Sequence, residues 1–217
     1  MQNSNEQYLN QLNFVRWVPK DQVGVSGEDT RPQGTSNLEA IELTVEACKM
    51  CSLHRTRVNT VFGSGSASAD WMFIGEAPGA EEDRRGIPFV GKAGQLLDSM
   101  IDSIGMNRKN VYVANVLKCR PPENRDPVGI EVQSCEGYLH KQIELIRPKL
   151  IISLGRFAAQ SLLKTSLPIG KLRGELHSYS TFEIPLVATY HPAYLLRSPL
   201  EKRKVWRDLL LARSVLT

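Results

Sequence analysis

The sequence lacks any long apolar run. No stretch approaches the roughly 18 consecutive apolar residues that a membrane-spanning helix needs, so we expect no membrane partner. The first residues, MQNSNEQYLNQLNF, also lack the basic start and apolar core of a secretory signal peptide. We therefore expect a cytoplasmic protein.

Cysteine is scarce, with four residues among 217. In a cytoplasmic protein these thiols are expected to be reduced or metal-bound rather than paired in disulfides. The hydrophobic content of 41% and the charged content of 23% are typical of a globular protein. A formal net charge of +4 favours a polyanionic partner only weakly.

Internal repeats are absent, and beyond a polar N-terminal stretch, strand-like and helix-like segments alternate. Residues 1–36 are polar and rich in Gly, Ser, Asp and Pro toward their end, which predicts a flexible arm before a domain of residues 37–217. Four β-rich runs and intervening amphipathic segments predict an α/β fold with a parallel sheet covered on both faces. The predicted strands are Trp71–Ile74, Val111–Leu117, Leu150–Gly155 and Pro185–Tyr190. The predicted helices are 38–48, 93–105, 129–146, 156–163 and 201–213.

Ligands of such sheets bind beyond the carboxyl ends of the strands, so the segments that follow the strands are the candidate site. Three of these segments, GEAPGAEED, KCRPPENRDP and HPAYLLR, are dense in polar residues, Gly and Pro. A glycine-rich turn after a strand commonly cradles a phosphate. The acidic residues of GEAPGAEED would repel one, so the phosphate interpretation is excluded.

The cysteines lie in a close pair, Cys48 and Cys51, and a distant pair, Cys119 and Cys135. Four buried thiols are one interpretation, because free cysteine is a common core residue. A C-x-x-C pair also favours chelation, of zinc or of a 4Fe–4S cluster. Spacing alone does not separate these two metal sites.

Taken together, these motifs resemble the family 4 uracil-DNA glycosylases, the iron–sulfur branch of that superfamily. The resemblance rests on C-K-M-C at Cys48–Cys51, G-E-A-P-G at Gly75–Gly79, G-I-P-F-V-G at Gly86–Gly91, N-V-L-K-C-R-P-P-E-N at Asn115–Asn124, Cys135, and H-P-A-Y-L-L-R at His191–Arg197. It runs from about Leu38 to the C-terminus. Only the N-terminal arm lies outside it.

The resemblance implies a three-layer α/β/α fold with a central four-stranded parallel sheet. It further implies a monomer with a structural 4Fe–4S cluster on Cys48, Cys51, Cys119 and Cys135. The implied activity is removal of uracil from single- or double-stranded DNA, by flipping the nucleotide and hydrolysing its glycosidic bond.

The implied uracil pocket contains Gly75, Glu76, Ala77, Phe89, Asn115 and His191. Phe89 would stack on the base, although Pro88-Phe89-Val90 would also suit a core. Asn115 would donate to O4 and accept from N3–H, unless it makes a structural hydrogen bond instead. His191 would reach O2 and stabilise the negative charge that builds there.

Hydrolysis also needs a water aimed at the sugar. The resemblance assigns Glu76 and the backbone of Ala77 to the uracil, and we assign the water to Glu82 with Asn124. We interpret Glu81 and Asp83 as a solvated acidic turn.

The segment HPAYLLR also offers an apolar wedge with a cation, Leu195, Leu196 and Arg197, to fill the gap left by a flipped base. Either leucine could instead pack beneath the segment. Basic residues of the last helix could contact phosphates or simply be solvated; they are Lys202, Arg203, Lys204 and Arg207.

Two other functions fit parts of the sequence. One related branch becomes covalently linked to abasic DNA through a histidine in a basic insertion, but CRPPENRDPVG contains neither. An iron–sulfur module that binds nucleic acid without catalysis, related to a phage DNA polymerase, is the second. It would not need Glu76, Phe89, Asn115 and His191 together.

Overall fold

The structure, a computed structural model, describes residues 34–216, with side chains from Asn37 onward. Most of the predicted arm therefore lies outside the described residues, and the first described helix begins at Gly34. The helices are α1 (Gly34–Glu46), α2 (Ala80–Arg85), α3 (Lys92–Ser103), α4 (Gly129–Ile146), α5 (Arg156–Leu163), α6 (Ile169–Leu172), α7 (Pro192–Arg197) and α8 (Lys202–Ser214). The strands are β1 (Ser64–Gly65), β2 (Trp71–Gly75), β3 (Tyr112–Asn115), β4 (Leu150–Leu154), β5 (Leu176–Tyr179) and β6 (Ile184–Thr189).

The strands form one sheet in the order β1-β3-β2-β4-β6-β5. The four inner strands are parallel, and they are the four strands predicted from the sequence. The sheet nevertheless has six strands in the described chain, because β1 and β5 add antiparallel edges. The expectation of four strands was therefore incomplete.

Helices cover both faces of this sheet, which confirms the α/β class. All five residues of β2 are buried, because alternate side chains face opposite layers. On one face, Met72 and Ile74 pack with α1, α4 and α5. On the other, Trp71 and Phe73 pack with α3, α7 and α8. Among residues 34–216, no helix is long and apolar enough to cross a bilayer.

The order of the strands places the site. The chain leaves β2 toward β3 on one side, and leaves β4 toward β6 on the other. A crevice therefore opens where the carboxyl ends of β2 and β4 meet. The register sets Gly75 beside Asn115 and Leu154 beside Thr189, so the segments after all four parallel strands converge there.

The acidic stretch after β2 is not a solvated turn throughout. Its later residues form helix α2, and Asp83 is only 3% exposed. The Asp83 carboxylate accepts hydrogen bonds from the backbone N–H groups of Val58 (3.0 Å) and Asn59 (3.3 Å). Glu81 is exposed as expected and pairs with Arg84. Asp83 thus attaches the segment after the C-x-x-C pair to α2.

This attachment predicts that Asp83→Ala will lower the free energy of unfolding by about 2 to 3 kcal/mol, because two backbone N–H groups lose their hydrogen bonds to a buried, charged acceptor. Glu81→Ala, in the same helix, should cost less than about 1 kcal/mol, since its ion pair is exposed. Urea titration of both variants measures the difference. Equal midpoints would contradict the role given to Asp83.

Candidate active site

The segments that follow the parallel strands enclose a cavity of about 490 Å³. This volume is within the usual range of small-molecule sites. The cavity is lined by Glu76, Ala77, Pro78, Gly79, Glu82, Phe89, Ala93, Asn115, Pro121, Asn124, Arg125, Asp126, His191, Ala193, Tyr194 and Arg197. Most of the residues predicted for a uracil pocket or for water activation therefore meet at one place. Gly75, the remaining one, lies directly behind the wall.

Asn115 ends β3 at the floor of the cavity. It is 1% exposed, and its Oδ1 has no hydrogen-bond partner within residues 34–216. A buried acceptor without a donor costs free energy of folding, so such an atom is typical of a site awaiting a ligand. A Cβ on Gly75 would lie 2.4 Å from this oxygen and 2.5 Å from Phe89 Cζ. Glycine is therefore required for Asn115 and Phe89 to meet.

Phe89 forms a wall of the cavity and also belongs to the core. Its φ of 54° is in the left-handed region, which is unfavourable for an aromatic residue. Three contacts hold it there. Arg108 Nη2 donates to Pro88 O (2.6 Å), Glu82 Oε1 accepts from the N–H groups of Val90 and Gly91, and α3 packs so closely that a Cβ on Gly94 would lie 1.8 Å from Phe89 O.

His191 packs beside Phe89 at the cavity, with ring centroids 5.6 Å apart. Its Nδ1 accepts a hydrogen bond from the N–H of Ala193 at the start of α7 (3.1 Å). Burial, assisted by nearby Arg197 and opposed by Glu82, lowers the pKa of His191 to about 4. At neutral pH the ring is therefore neutral, and because Nδ1 accepts, its proton is on Nε2. His191 can serve as a neutral donor.

Glu76 and Glu82 have different surroundings. Burial raises the pKa of Glu76 to about 7, with a further contribution from Asp126 that Arg156 opposes. Glu82 directs Oε1 to the N–H groups of Val90 and Gly91, at 2.9 and 3.0 Å. Its Oε2 has no hydrogen bond among the described residues. Glu82 thus supports the Phe89 turn and still presents one oxygen to the cavity.

The loop after β3 supplies another side of the cavity. Asn124 has a φ of 57°, and its Oδ1 accepts from Arg120 Nε (2.9 Å). Arg125 pairs with Glu131, whose carboxylate also caps the start of α4 through the N–H of Val128.

Sequence reasoning assigned no role to Asp126, although its position in a polar loop after a predicted strand was a usable signal. Its proximity to Glu76 depends on the tertiary fold.

The predicted DNA wedge divides into buried and exposed residues. Leu195 is 1% exposed and packs in the core beneath α7, so the expectation that it contacts DNA is not supported. Leu196 is 46% exposed, and Arg197 lines the cavity. The alternation arises because HPAYLLR is a helix, whose neighbouring residues point in different directions.

Among the basic residues of the last helix, α8, Lys204 forms an ion pair with Glu201 (2.7 Å).

The four cysteine side chains line a separate small cavity, and none is in a disulfide. Cys119 and Cys135 are buried, and burial raises the pKa of the Cys135 thiol to about 11. Arg57 Nη1 donates to Cys119 Sγ (3.0 Å), and the Lys118 N–H donates to Cys135 Sγ (3.2 Å). In residues 34–216, no three His, Cys, Asp or Glu side chains are close enough to bind a single metal ion.

The side chain of Lys118, next to Cys119 in the chain, connects the cysteine cavity to the cavity that has Asn115 at its floor. It is 1% exposed, and its ammonium donates to Phe62 O (3.1 Å), Asn115 O (2.8 Å) and Gln142 Oε1 (2.6 Å). Gln142 belongs to α4, the helix that carries Cys135. Lys118 therefore ties the end of β3 to the cysteine-bearing helix.

Comparison with known proteins agrees with this geometry. A family model described as the uracil DNA glycosylase superfamily matches residues 62–210. A type-4 uracil-DNA glycosylase of Archaeoglobus fulgidus is 44% identical over 169 residues, covering 75% of this chain and 85% of that protein. A type-4 uracil-DNA glycosylase of Sulfurisphaera tokodaii is 45% identical over 186 residues, covering 82% and 84%.

A DNA polymerase of Bacillus phage SP01 is 31% identical over 156 residues, but the match covers only 16% of that polymerase. This chain is therefore similar to one segment of the polymerase, whereas it aligns with most of each type-4 enzyme. The chain belongs to the uracil DNA glycosylase superfamily, in its type-4 branch.

Proposed function

We propose that the protein removes uracil from DNA and leaves an abasic site. The observation that carries this proposal is the unpartnered Oδ1 of Asn115, buried at the floor of a cavity walled by Phe89 and His191. Uracil offers an N3–H to this acceptor, whereas cytosine has no hydrogen on N3. A site built for that donor discriminates between the two bases, because the wrong base leaves a buried oxygen unpaired.

The residues of the cavity suit the two charges that develop in the reaction. When the bond from C1′ to N1 breaks, its electron pair stays on the base, and negative charge reaches O2. The Nε2–H of neutral His191 would donate to that oxygen. The sugar meanwhile gains positive charge, and the oxygen of a water adds to C1′ and releases a proton. The base must first leave the stack to reach the cavity.

Glu82, with Asn124, remains our proposal for orienting the water. Its Oε2 is uncommitted among the described residues, while its Oε1 supports the turn that holds Phe89. Glu76, with a pKa of about 7, is partly protonated near neutral pH and so suits contact with the polar edge of a neutral base. The Ala77 backbone and Gly75 complete that wall. For DNA contact, we retain Leu196 and Arg197.

We also propose a 4Fe–4S cluster held by Cys48, Cys51, Cys119 and Cys135. The four thiols line one cavity, and four cysteine thiolates are the usual ligands of such a cluster. When bound, the cluster would cross-link the segments that carry its ligands. N–H donors to two of the sulfurs would support the thiolate charge.

The preferred substrate is single- or double-stranded DNA that contains uracil, and we expect a monomer in the cytoplasm. A module that only binds nucleic acid would need neither an orphaned acceptor nor a neutral histidine in this cavity. The geometry therefore favours the enzyme.

The excision proposal predicts that His191→Ala will slow the release of uracil by about 10²- to 10³-fold, the usual effect of losing one oxyanion donor. Asn115→Ala should also lose most activity, because the base is no longer held at N3. Alkaline cleavage of a uracil-containing oligonucleotide measures the abasic product. Glu81→Gln, an exposed change in α2, is the matched control and should excise normally. Wild-type rates in both pocket variants would disprove the pocket.

The low pKa of His191 predicts a specific loss of stability in acid. As the pH falls through about 6.5, the unfolded ring takes up a proton, while the folded ring stays neutral until about pH 4. The wild type should therefore lose up to about 3 kcal/mol across this window relative to His191→Asn. Glu76 has the opposite effect, since its raised pKa favours the folded state as the pH falls from 7 to 4.5, but it is present in both proteins and cancels.

Urea midpoints of the two proteins between pH 4 and 7.5 give this difference. A difference that does not change with pH would mean that the folded ring titrates normally.

The cluster proposal predicts brown protein with about four irons and four sulfides per chain when it is purified without oxygen. Cys119→Ala should lose most of the iron and the visible absorbance. Met50→Leu lines the same cavity without changing a thiolate and should keep both. Stoichiometric zinc in colourless wild-type protein would contradict the cluster while leaving the four-cysteine site.

A further inference from the structure

Tyr194 lines the cavity but takes no part in the proposed chemistry. It lies in α7, three residues after His191, and its side chain is 37% exposed at the rim. Its hydroxyl makes no hydrogen bond within residues 34–216. Tyrosine at a solvent boundary usually pairs its hydroxyl or buries its ring, and here the ring is left accessible.

The ring is nevertheless held firmly. Tyr194 rests on Tyr190, with ring centroids 5.0 Å apart and planes tilted by 46°. Tyr190 in turn lies under the guanidinium of Arg173, whose carbon is 5.5 Å from the ring centroid. Arg173 is locked by two bonds to the carboxylate of Asp208, at 2.6 and 3.1 Å. This chain of contacts fixes the Tyr194 ring beside the cavity, where part of it faces solvent.

The charge around this ring suits a nucleic-acid strand. Arg197, one helical turn after Tyr194, lines the same cavity. Arg125 lines this cavity as well, paired with Glu131. A rigid aromatic face beside cations is the usual platform for single-stranded DNA, in which bases stack on rings and cations meet phosphates.

We propose that Tyr194 forms a nucleotide subsite, in which its ring stacks on the base next to the flipped uracil on the same strand. The inference rests on the proposed function, because the uracil position defines what is next to it. A strand whose uracil occupies the floor of the cavity must leave past the rim. Its neighbouring base, having lost the uracil as a stacking partner, there finds an exposed ring.

The test is a cycle that changes the protein and the DNA separately. Three single-stranded oligonucleotides are compared, each with one uracil. The first keeps both neighbouring bases, the second lacks only the base of the 5′ neighbour, and the third lacks only the base of the 3′ neighbour. Stacking on an aromatic side chain contributes about 1 to 3 kcal/mol per base, or roughly 5- to 150-fold in kcat/KM. Wild-type protein should lose this factor when one of the two neighbours is removed.

Tyr194→Ala should show the same loss with all bases present and no further loss when that neighbour is removed. The change should appear in KM rather than in kcat, because stacking holds ground state and transition state alike. Tyr194→Phe should behave as wild type, since stacking needs the ring and not the hydroxyl. Leu200→Ala, an 83% exposed change just after α7, is the control and should change nothing.

Equilibrium binding of the same oligonucleotides, made with 2′-fluorodeoxyuridine to prevent cleavage, gives a second readout of the cycle. Coupling between Tyr194 and either neighbour supports the subsite. If the wild type excises uracil but no coupling appears in either readout, the subsite is wrong and the proposed function stands. If the wild type excises none, the proposed function fails, and the binding cycle still decides the subsite.

Discussion

The buried ammonium of Lys118 is the interaction on which both functional regions depend. A charge with 1% exposure is tolerated only where several acceptors surround it, and here two carbonyls and one amide oxygen do so. One of those carbonyls belongs to Asn115, while the N–H of the same lysine donates to Cys135 Sγ. The position of Asn115, which we propose to read uracil, is therefore coupled to the helix that bears a cysteine of the proposed cluster. In this arrangement an inorganic group can matter to recognition without touching the base.

The pocket itself depends on missing side chains. Asn115, Phe89 and His191 each lie against a glycine on which a Cβ would come too close: Gly75, Gly94 and Gly155 respectively. At Gly155 the backbone also has a φ of 90°, which other residues rarely adopt. Because a packed interior cannot yield by half an ångström without cost, these contacts set the pocket side chains in place from behind. The residues that line the cavity and the glycines behind them form one unit.

Local patterns were enough to predict the four parallel strands and the long helices, because their apolar residues recur at strand or helix spacing. Helix α4 was predicted at its observed bounds for this reason. Short elements carried no such signal: β5 buries only one of its four residues, and α2 contains only six residues, most of them charged. The burial of Asp83 depends on N–H groups 24 and 25 residues away, which no local pattern contains. Likewise, the motif HPAYLLR predicted a segment that contacts the ligand. That Leu195 is buried and Leu196 is exposed follows only from the helix that this segment forms.

The acidic residues of Gly75–Asp83 have different surroundings, and these differences explain how an acidic loop can face a neutral ligand. Asp83 turns away to hold the backbone after the C-x-x-C pair, and Glu81 turns to solvent. Glu76 is partly neutralised by burial, and His191 opposite is neutral for the same reason. Where Glu76 and His191 line the cavity, burial keeps the lining largely uncharged, so a neutral base can lie against these two groups at little electrostatic cost. In the proposed reaction, the donor at His191 and the oxygen at Glu82 gain strength only as the glycosidic bond separates charge. Stabilisation that appears mainly in the transition state is what accelerates a reaction, so the same burial that makes the pocket permissive also makes it catalytic.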